Sequence, residues 1–210
     1  MPGTLLAYDA AFPRPADTSR TGPIVNRPSA SELAAYSELY PGPYTVLPIQ
    51  ADARAETYVR QIAATAGTKR PLDRLILFGH GRVARTRNGM VTTGIIIGAN
   101  DITSDNAYLL QALRPHFSEH AMAELWVCNA AAAGESAGVS GRRLCTAIAA
   151  ALGVTVKAGE DEQEYTSVNQ REIPTGGWDS EVRFLPWEGR TVHFLPSGAT
   201  MRIGTPVIRR

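Results

Sequence analysis

Four apolar residues in a row, Leu75–Ile76–Leu77–Phe78, constrain the fold of this chain more than any other stretch. Charge bounds them on one side (Asp73, Arg74) and Gly79–His80–Gly81 on the other. A short continuous apolar run between polar residues and glycine reads as a buried strand. In an α/β protein such a strand crosses the core and delivers its last residue to the carboxyl edge of the sheet, where sites are built. The residue delivered here is a histidine between two glycines. A second run, Glu124–Leu125–Trp126–Val127, delivers Cys128 in the same way. The two residues lie 48 positions apart, which leaves room for one crossover helix and a small insertion. Two neighbouring parallel strands then set an imidazole beside a thiol.

The flanking sequence alternates strands and helices. Thr4–Tyr8 reads as a first strand, and residues 9–28, rich in proline and small polar residues, as a loop. Ser29–Ala30–Ser31–Glu32 matches a capping box for a helix carrying Leu33, Tyr36, Leu39 and Tyr40. Tyr44–Ile49 reads as a peripheral strand, because Pro48 lacks the N–H an inner strand needs. Ala55, Tyr58, Val59, Ile62, Ala63 and Ala66 form one apolar helical face, with Gly67 behind it. Ile95–Ile97 reads as a strand, one arm of a hairpin close to His80. Ser104 or Asp105 is expected to cap a helix through Leu109, Leu110 and Leu113, ending near Pro115. Ser140 is expected to cap another, with Leu144, Cys145, Ile148 and Leu152 inward and Gly153 closing it. Val154–Ala158 is the next strand, and Val182–Leu185 with Thr191–Leu195 reads as a terminal hairpin. The expected architecture is a three-layer α/β/α sandwich with a mostly parallel central sheet and a C-terminal β-hairpin. Residues 1–50 read as an N-terminal extension packing on a domain formed by residues 51–210.

Composition narrows the function classes. With 44% hydrophobic and 20% charged residues over 210 positions, the chain can bury a proper core. A formal net charge of +1 gives no whole-molecule field for nucleic acid or an anionic membrane. No apolar run has the length of a membrane span, and no signal peptide is legible at the N-terminus. These features point to the cytoplasm, or to delivery into a target cell by a leaderless secretion route. Two cysteines make no disulfide framework, so a thiol kept for chemistry in a reducing compartment fits better.

The chemistry centres on Cys128 and His80. A thiol becomes nucleophilic when a neighbouring base favours its thiolate. The amides of Gly81 and Cys128 are then candidates to hold the oxyanion of a tetrahedral intermediate. Cys145, on an apolar helix stripe, reads as a core residue. His116 and His120 have the i, i+4 spacing of a metal pair on a helix, but no third ligand is placed, so no metal or other cofactor is expected. His193, in a terminal strand, has no tie to Cys128. The stretch from Asn129 to Gly141, small and glycine-rich, is expected to be mobile.

An apolar strand ending in His-Gly, followed by an apolar strand ending in Cys, resembles the pattern of clan CD cysteine peptidases, which include caspases, gingipains, separases and bacterial caspase-like domains. Leu75–Gly81 and Leu125–Ala130 carry the resemblance. The chain looks most like the bacterial caspase-like group DUF4347 and its CHAT-like relatives, where a short strand ending apolar-Gly, as in Ile97–Gly98, follows the His-Gly. The resemblance covers about Leu72 to Ala158. It lacks the glycine two residues after the cysteine found in caspases, having Ala130, so caspase specificity does not carry over. The resemblance implies a cysteine endopeptidase with a Cys128–His80 dyad acting on a protein or peptide substrate. It also implies that edge loops form the pocket for the residue before the scissile bond, making Glu160 and Asp161 candidates for binding a basic side chain. The basic loop Arg82, Arg85 and Arg87 supports an acidic one equally. The alternatives are an inactive caspase-like interaction module, or another cysteine hydrolase or acyltransferase on the same geometry.

Overall fold

The computed structural model describes residues 3–10, 24–28, 44–50, 52–67, 71–86, 89–133, 140–163, 165–173, 177–184, 187 and 189–203. Its strands are β1 (Gly3–Asp9), β2 (Ile24–Pro28), β3 (Tyr44–Ile49), β4 (Leu72–Phe78), β5 (His80–Thr86), β6 (Gly89–Ile97), β7 (Asn100–Thr103), β8 (Phe117–Trp126), β9 (Thr155–Gly159), β10 (Tyr165–Ile173), β11 (Gly177–Phe184), β12 (Thr191–Phe194) and β13 (Thr200–Ile203). The helices are α1 (Ala55–Gly67), α2 (Gly141–Leu152) and a 3-10 helix, Ala107–His116.

Seven strands form the central sheet in the order β13-β12-β9-β8-β4-β1-β3. From β3 to β9 every pairing is parallel, and β12 and β13 close the far edge antiparallel. The expected α/β class and mostly parallel central sheet are therefore present. β5, β6 and β7 form a second, three-stranded sheet, and β10, β11 and β2 a third.

The division at residue 50 does not describe this sheet. β1 lies between β3 and β4, every residue of it buried, so the first fifty residues contribute an inner strand and an edge strand. The physical reason lies in Gly3–Asp9: its apolar positions fill both faces of the sheet at once. β3 is the edge strand, as Pro48 required.

Alternation divides the inner strands between two cores. Leu5, Ala7, Leu75, Leu77, Ala123, Leu125, Val156 and Ala158 share one cluster with side chains of α1, the 3-10 helix and α2. Leu6, Tyr8, Ile76, Phe78 and Trp126 form the other. Among the described residues, the helical segments all join the first core. The second helical layer of a three-layer sandwich is not seen among them, and the helix expected after Ser29–Glu32 lies outside them.

Three local expectations are corrected. The terminal hairpin is β12 with β13, joined through Leu195–Gly198, where Gly198 takes φ +87. Of the expected partner of β12, residues 182–184 instead belong to β11, which pairs with β10 and β2. The helix near Leu110 is a 3-10 helix beginning after Asn106, which does not cap it. Asn106 turns back to β7, its Oδ1 taking the Thr103 N–H at 2.7 Å and its Nδ2 donating to Asp101 O at 2.8 Å. His116 closes that helix whereas His120 lies in β8, so the two never share a helix face.

The second face of the sheet carries a row of charge. Glu124 pairs with Lys157, and Lys157 with His193, across β8, β9 and β12. Glu124 is only 1% exposed and accepts hydrogen bonds from the Arg74 guanidinium and from Trp126 Nε1 at 3.1 Å. Lys157 places its Nζ 4.7 Å from the Trp187 ring, and burial holds its pKa below the usual lysine range. Burial, and then the charge of Lys157, lowers that of His193. Removing one member of a buried ion pair leaves the other charge without its partner. Glu124→Ala is therefore expected to cost about 3–5 kcal/mol of stability in urea unfolding; a loss below about 1 kcal/mol would show the pair to be effectively solvated.

Candidate active site

Packing in the core sets the site before any chemistry enters. β4 and β8 are neighbours in register, with Phe78 opposite Trp126. His80 and Cys128 each lie two residues beyond that pair, so the offset of 48 read from the sequence is the register of the sheet itself. The Gly79 N–H donates to Trp126 O at 3.5 Å, carrying the pairing one residue past the strands. Neighbouring strands lie about 4.8 Å apart. The structure thus places the two predicted residues just beyond the carboxyl ends of two adjacent strands.

The glycines around His80 have steric reasons. The chain passes from one sheet to another there, because β4 ends at Phe78 and β5 begins at His80 in a different sheet. A Cβ on Gly79 would collide with the Ile96 carbonyl and stand 2.9 Å from Ile97 Cγ1. One on Gly81 would collide with Thr92 Oγ1 and stand 3.0 Å from Cys128 O. The backbone after His80 therefore lies against the backbone of Cys128, and only glycine permits that approach. His80 itself is half-buried and faces Ile96 across the β5–β6 hairpin, close to where the hairpin was expected.

Cys128 opens a tight turn. The residue is half-buried, and its thiol donates to Gln163 O at 3.5 Å. Asn129 takes the left-handed conformation at φ +53, which asparagine tolerates better than most side chains. The peptide joining Cys128 and Asn129 is held on both sides. Thr92 Oγ1 donates to Cys128 O at 2.6 Å, and the Asn129 N–H donates to Asp161 O at 3.0 Å. One turn on, the Ala131 N–H donates to Gly159 O at 2.8 Å and Cys145 Sγ approaches Ala130 O at 3.0 Å. The first part of the stretch expected to be mobile is tied to its surroundings. Ala130 and Ala131 are fully buried, and these bonds anchor it to β9 and α2. Residues 134–139 lie outside the described ones. Cys145 is a core residue as expected, with no exposed surface, and burial pushes its thiol far above the usual range.

The acidic residues that follow β9 reach the same edge but are differently engaged. Glu160 is surrounded by guanidinium groups, Arg142 at 2.6 Å, Arg202 at 3.4 Å and Arg190 at 3.6 Å. Asp161 is exposed, and its Oδ2 accepts the Arg190 backbone N–H at 3.3 Å. Arg82 pairs with Asp101, which raises the guanidinium pKa further through that hydrogen bond. Arg85 is exposed, and Arg87 lies outside the described residues.

Three residues at this edge escaped sequence reading. Thr92 sits in a strand where any β-branched residue belongs. Gln163 was hidden inside an acidic run; its amide donates to Asp161 O at 3.1 Å and Glu162 O at 3.3 Å, shaping the segment that meets Cys128. Asp9 is a fully buried carboxylate closing β1, one residue beyond the Tyr8–Phe78 pair. A polar residue at the end of a first strand gave no signal by itself.

Among the described residues, no group of three or more His, Cys, Asp or Glu side chains is arranged to hold a metal ion. None of their helices is long and apolar enough to cross a membrane. The chain matches no protein-family model, no curated protein and no solved structure.

Exposure and environment separate the two thiols. Iodoacetamide near neutral pH is expected to label Cys128 in the folded protein and leave Cys145 untouched, with both labelled after denaturation. Peptide mapping by mass spectrometry checks this; equal labelling of the two in the folded protein would contradict the packing of α2.

Proposed function

We propose that this chain is a cysteine peptidase in which Cys128 is the nucleophile and His80 its base. One observation carries the reading: a histidine and a cysteine each lie two residues beyond the last residue pair of two adjacent parallel strands. That both residues keep some exposed surface at the sheet's carboxyl edge, the customary location of sites in such folds, adds to it. The resemblance to caspase-like peptidases enters the reading through the sequence pattern alone, in which each residue follows its own apolar strand.

In this mechanism His80 takes the thiol proton and the Cys128 thiolate attacks the scissile carbonyl carbon, forming a C–S bond. The C–N bond then breaks, and the imidazolium gives its proton to the leaving amine. Water, deprotonated by His80, hydrolyses the thioester and restores the thiol. The oxyanion formed at each stage needs converging N–H donors. The Asn129 amide is committed to Asp161 O, so the donors assigned are those of Cys128 and Gly81. For a charged substrate side chain, Glu160 has its carboxylate occupied by arginines. Asp161 is then the better candidate for meeting a basic residue before the scissile bond.

Cys128→Ala and His80→Ala are each expected to abolish cleavage of a peptide library read by mass spectrometry, while Cys145→Ala retains it. Cleavage by Cys128→Ala equal to wild type would end the reading. A wild type that alkylates at Cys128 but cleaves nothing would favour another thiol-dependent hydrolase or transferase.

A further inference from the structure

We propose that Thr92 is the positioning residue of this site: it fastens the Cys128 turn to the hairpin that bears His80 and so sets the spacing of imidazole and thiol. The proposal rests on reading Cys128 and His80 as a working pair.

Thr92 has no exposed surface and bonds two consecutive carbonyls of the turn. Its hydroxyl donates to Cys128 O at 2.6 Å, and its backbone N–H to Asn129 O at 3.3 Å. The hydroxyl also stands against Gly81, the residue after His80. One side chain therefore touches both halves of the pair through their backbones. The hydroxyl bond matters for orientation. With the Cys128 carbonyl drawn toward Thr92, the Asn129 N–H on the other side of the same peptide points to Asp161 O. That peptide plane can no longer rotate, and Cys128 is fixed at the head of the turn.

A defect in the hairpin delivers Thr92 to this position. β5 and β6 pair as His80–Ile96, Gly81–Ile95 and Arg82–Gly94, and then the register slips so that Val83 faces Thr92. Thr93 is the extra residue, and its hydroxyl donates to Arg82 O at 3.1 Å. A bulge of this kind re-aims the side chains beside it. In a regular hairpin Thr93 would oppose Val83, and Thr92 would lie one position further from His80.

The test uses the pH dependence of Cys128 alkylation, which reads the coupling of thiol and imidazole without needing a substrate. Thr92→Val keeps the shape and β-branching but removes the donor. It is expected to slow alkylation near neutral pH by roughly tenfold or more and to move the profile toward that of an unassisted thiol, about pH 8.5. Thr92→Ser, which keeps the hydroxyl, is expected to preserve the wild-type profile. A folded Thr92→Val variant with the wild-type rate and profile would overturn the proposal. If Thr92→Val does not fold, Thr92→Ser decides alone, and a profile shifted to that of an unassisted thiol would overturn it. Failure of the pair itself is told apart in the wild type: an ordinary thiol profile, unchanged in His80→Ala, would overturn the dyad and this proposal with it.

Discussion

The parallel, in-register pairing of β4 with β8 is the constraint on which the rest of the site depends. Each strand splits its side chains between two cores, Leu75, Leu77, Ala123 and Leu125 on the helix side, Ile76, Phe78 and Trp126 on the other. A slip by one residue would exchange these sets. It would also carry Glu124 away from the Arg74 guanidinium and from its row with Lys157. Burying a single leucine or phenylalanine stabilises by about 1.5–3 kcal/mol, so several misplaced at once exceed what a domain of ordinary stability tolerates. Register is thus fixed by packing far below the edge. The placement of His80 and Cys128, each two residues beyond the Phe78–Trp126 pair, follows from it.

What the core does for the two strands, hydrogen bonds do for the turn. Asn129 in the left-handed region carries a conformational cost of about 1–2 kcal/mol, which the bonds to Thr92, Asp161 and Gly159 offset. Those partners belong to different sheets. Thr92 lies in the β5–β6–β7 sheet, whereas Gly159 and Asp161 close and follow β9 of the central one. The Cys128 turn is therefore the joint between two sheets, and His80, first residue of β5, stands where one passes into the other. Strain in the backbone at such a joint is tolerated because the surroundings over-determine it.

Much of this was legible in the sequence, and the reason is periodicity. The strands before His80 and Cys128 are uninterrupted apolar runs, and α1 and α2 show one apolar face each, so their existence and order followed directly. The Gly153 terminus of α2 was legible too, at φ +72. Pairing between distant strands was not, because an isolated run such as Thr191–Phe194 carries no mark of its partner. The 3-10 helix and the Thr93 bulge were invisible for a related reason: both depend on what the segment meets, Asn106 folding back on β7 and Thr92 meeting the Cys128 carbonyl. Asp9 and Gln163 were missed because single polar residues in ordinary positions acquire meaning only from their neighbours in space.

The acidic stretch after β9 shows how such neighbours alter a role assigned from charge alone. Read along the chain, Glu160, Asp161 and Glu162 form one negative patch. In space Glu160 is set apart from the other two. Its carboxylate is drawn into a cluster with Arg142 of α2, Arg202 of β13 and Arg190 just before β12, and its N–H donates to Arg190 O at 2.9 Å. Exposed ion pairs contribute little individually, but this group joins three elements around one residue, next to Gly159 and Asp161, which hold the Cys128 turn. Its mechanical consequence is larger than its electrostatic one. A carboxylate facing three guanidinium groups presents no net negative charge to an approaching substrate, so Glu160 braces the C-terminal hairpin against the edge. Any recognition of a basic side chain there must act through carboxylates that remain exposed, with Asp161 nearest the turn.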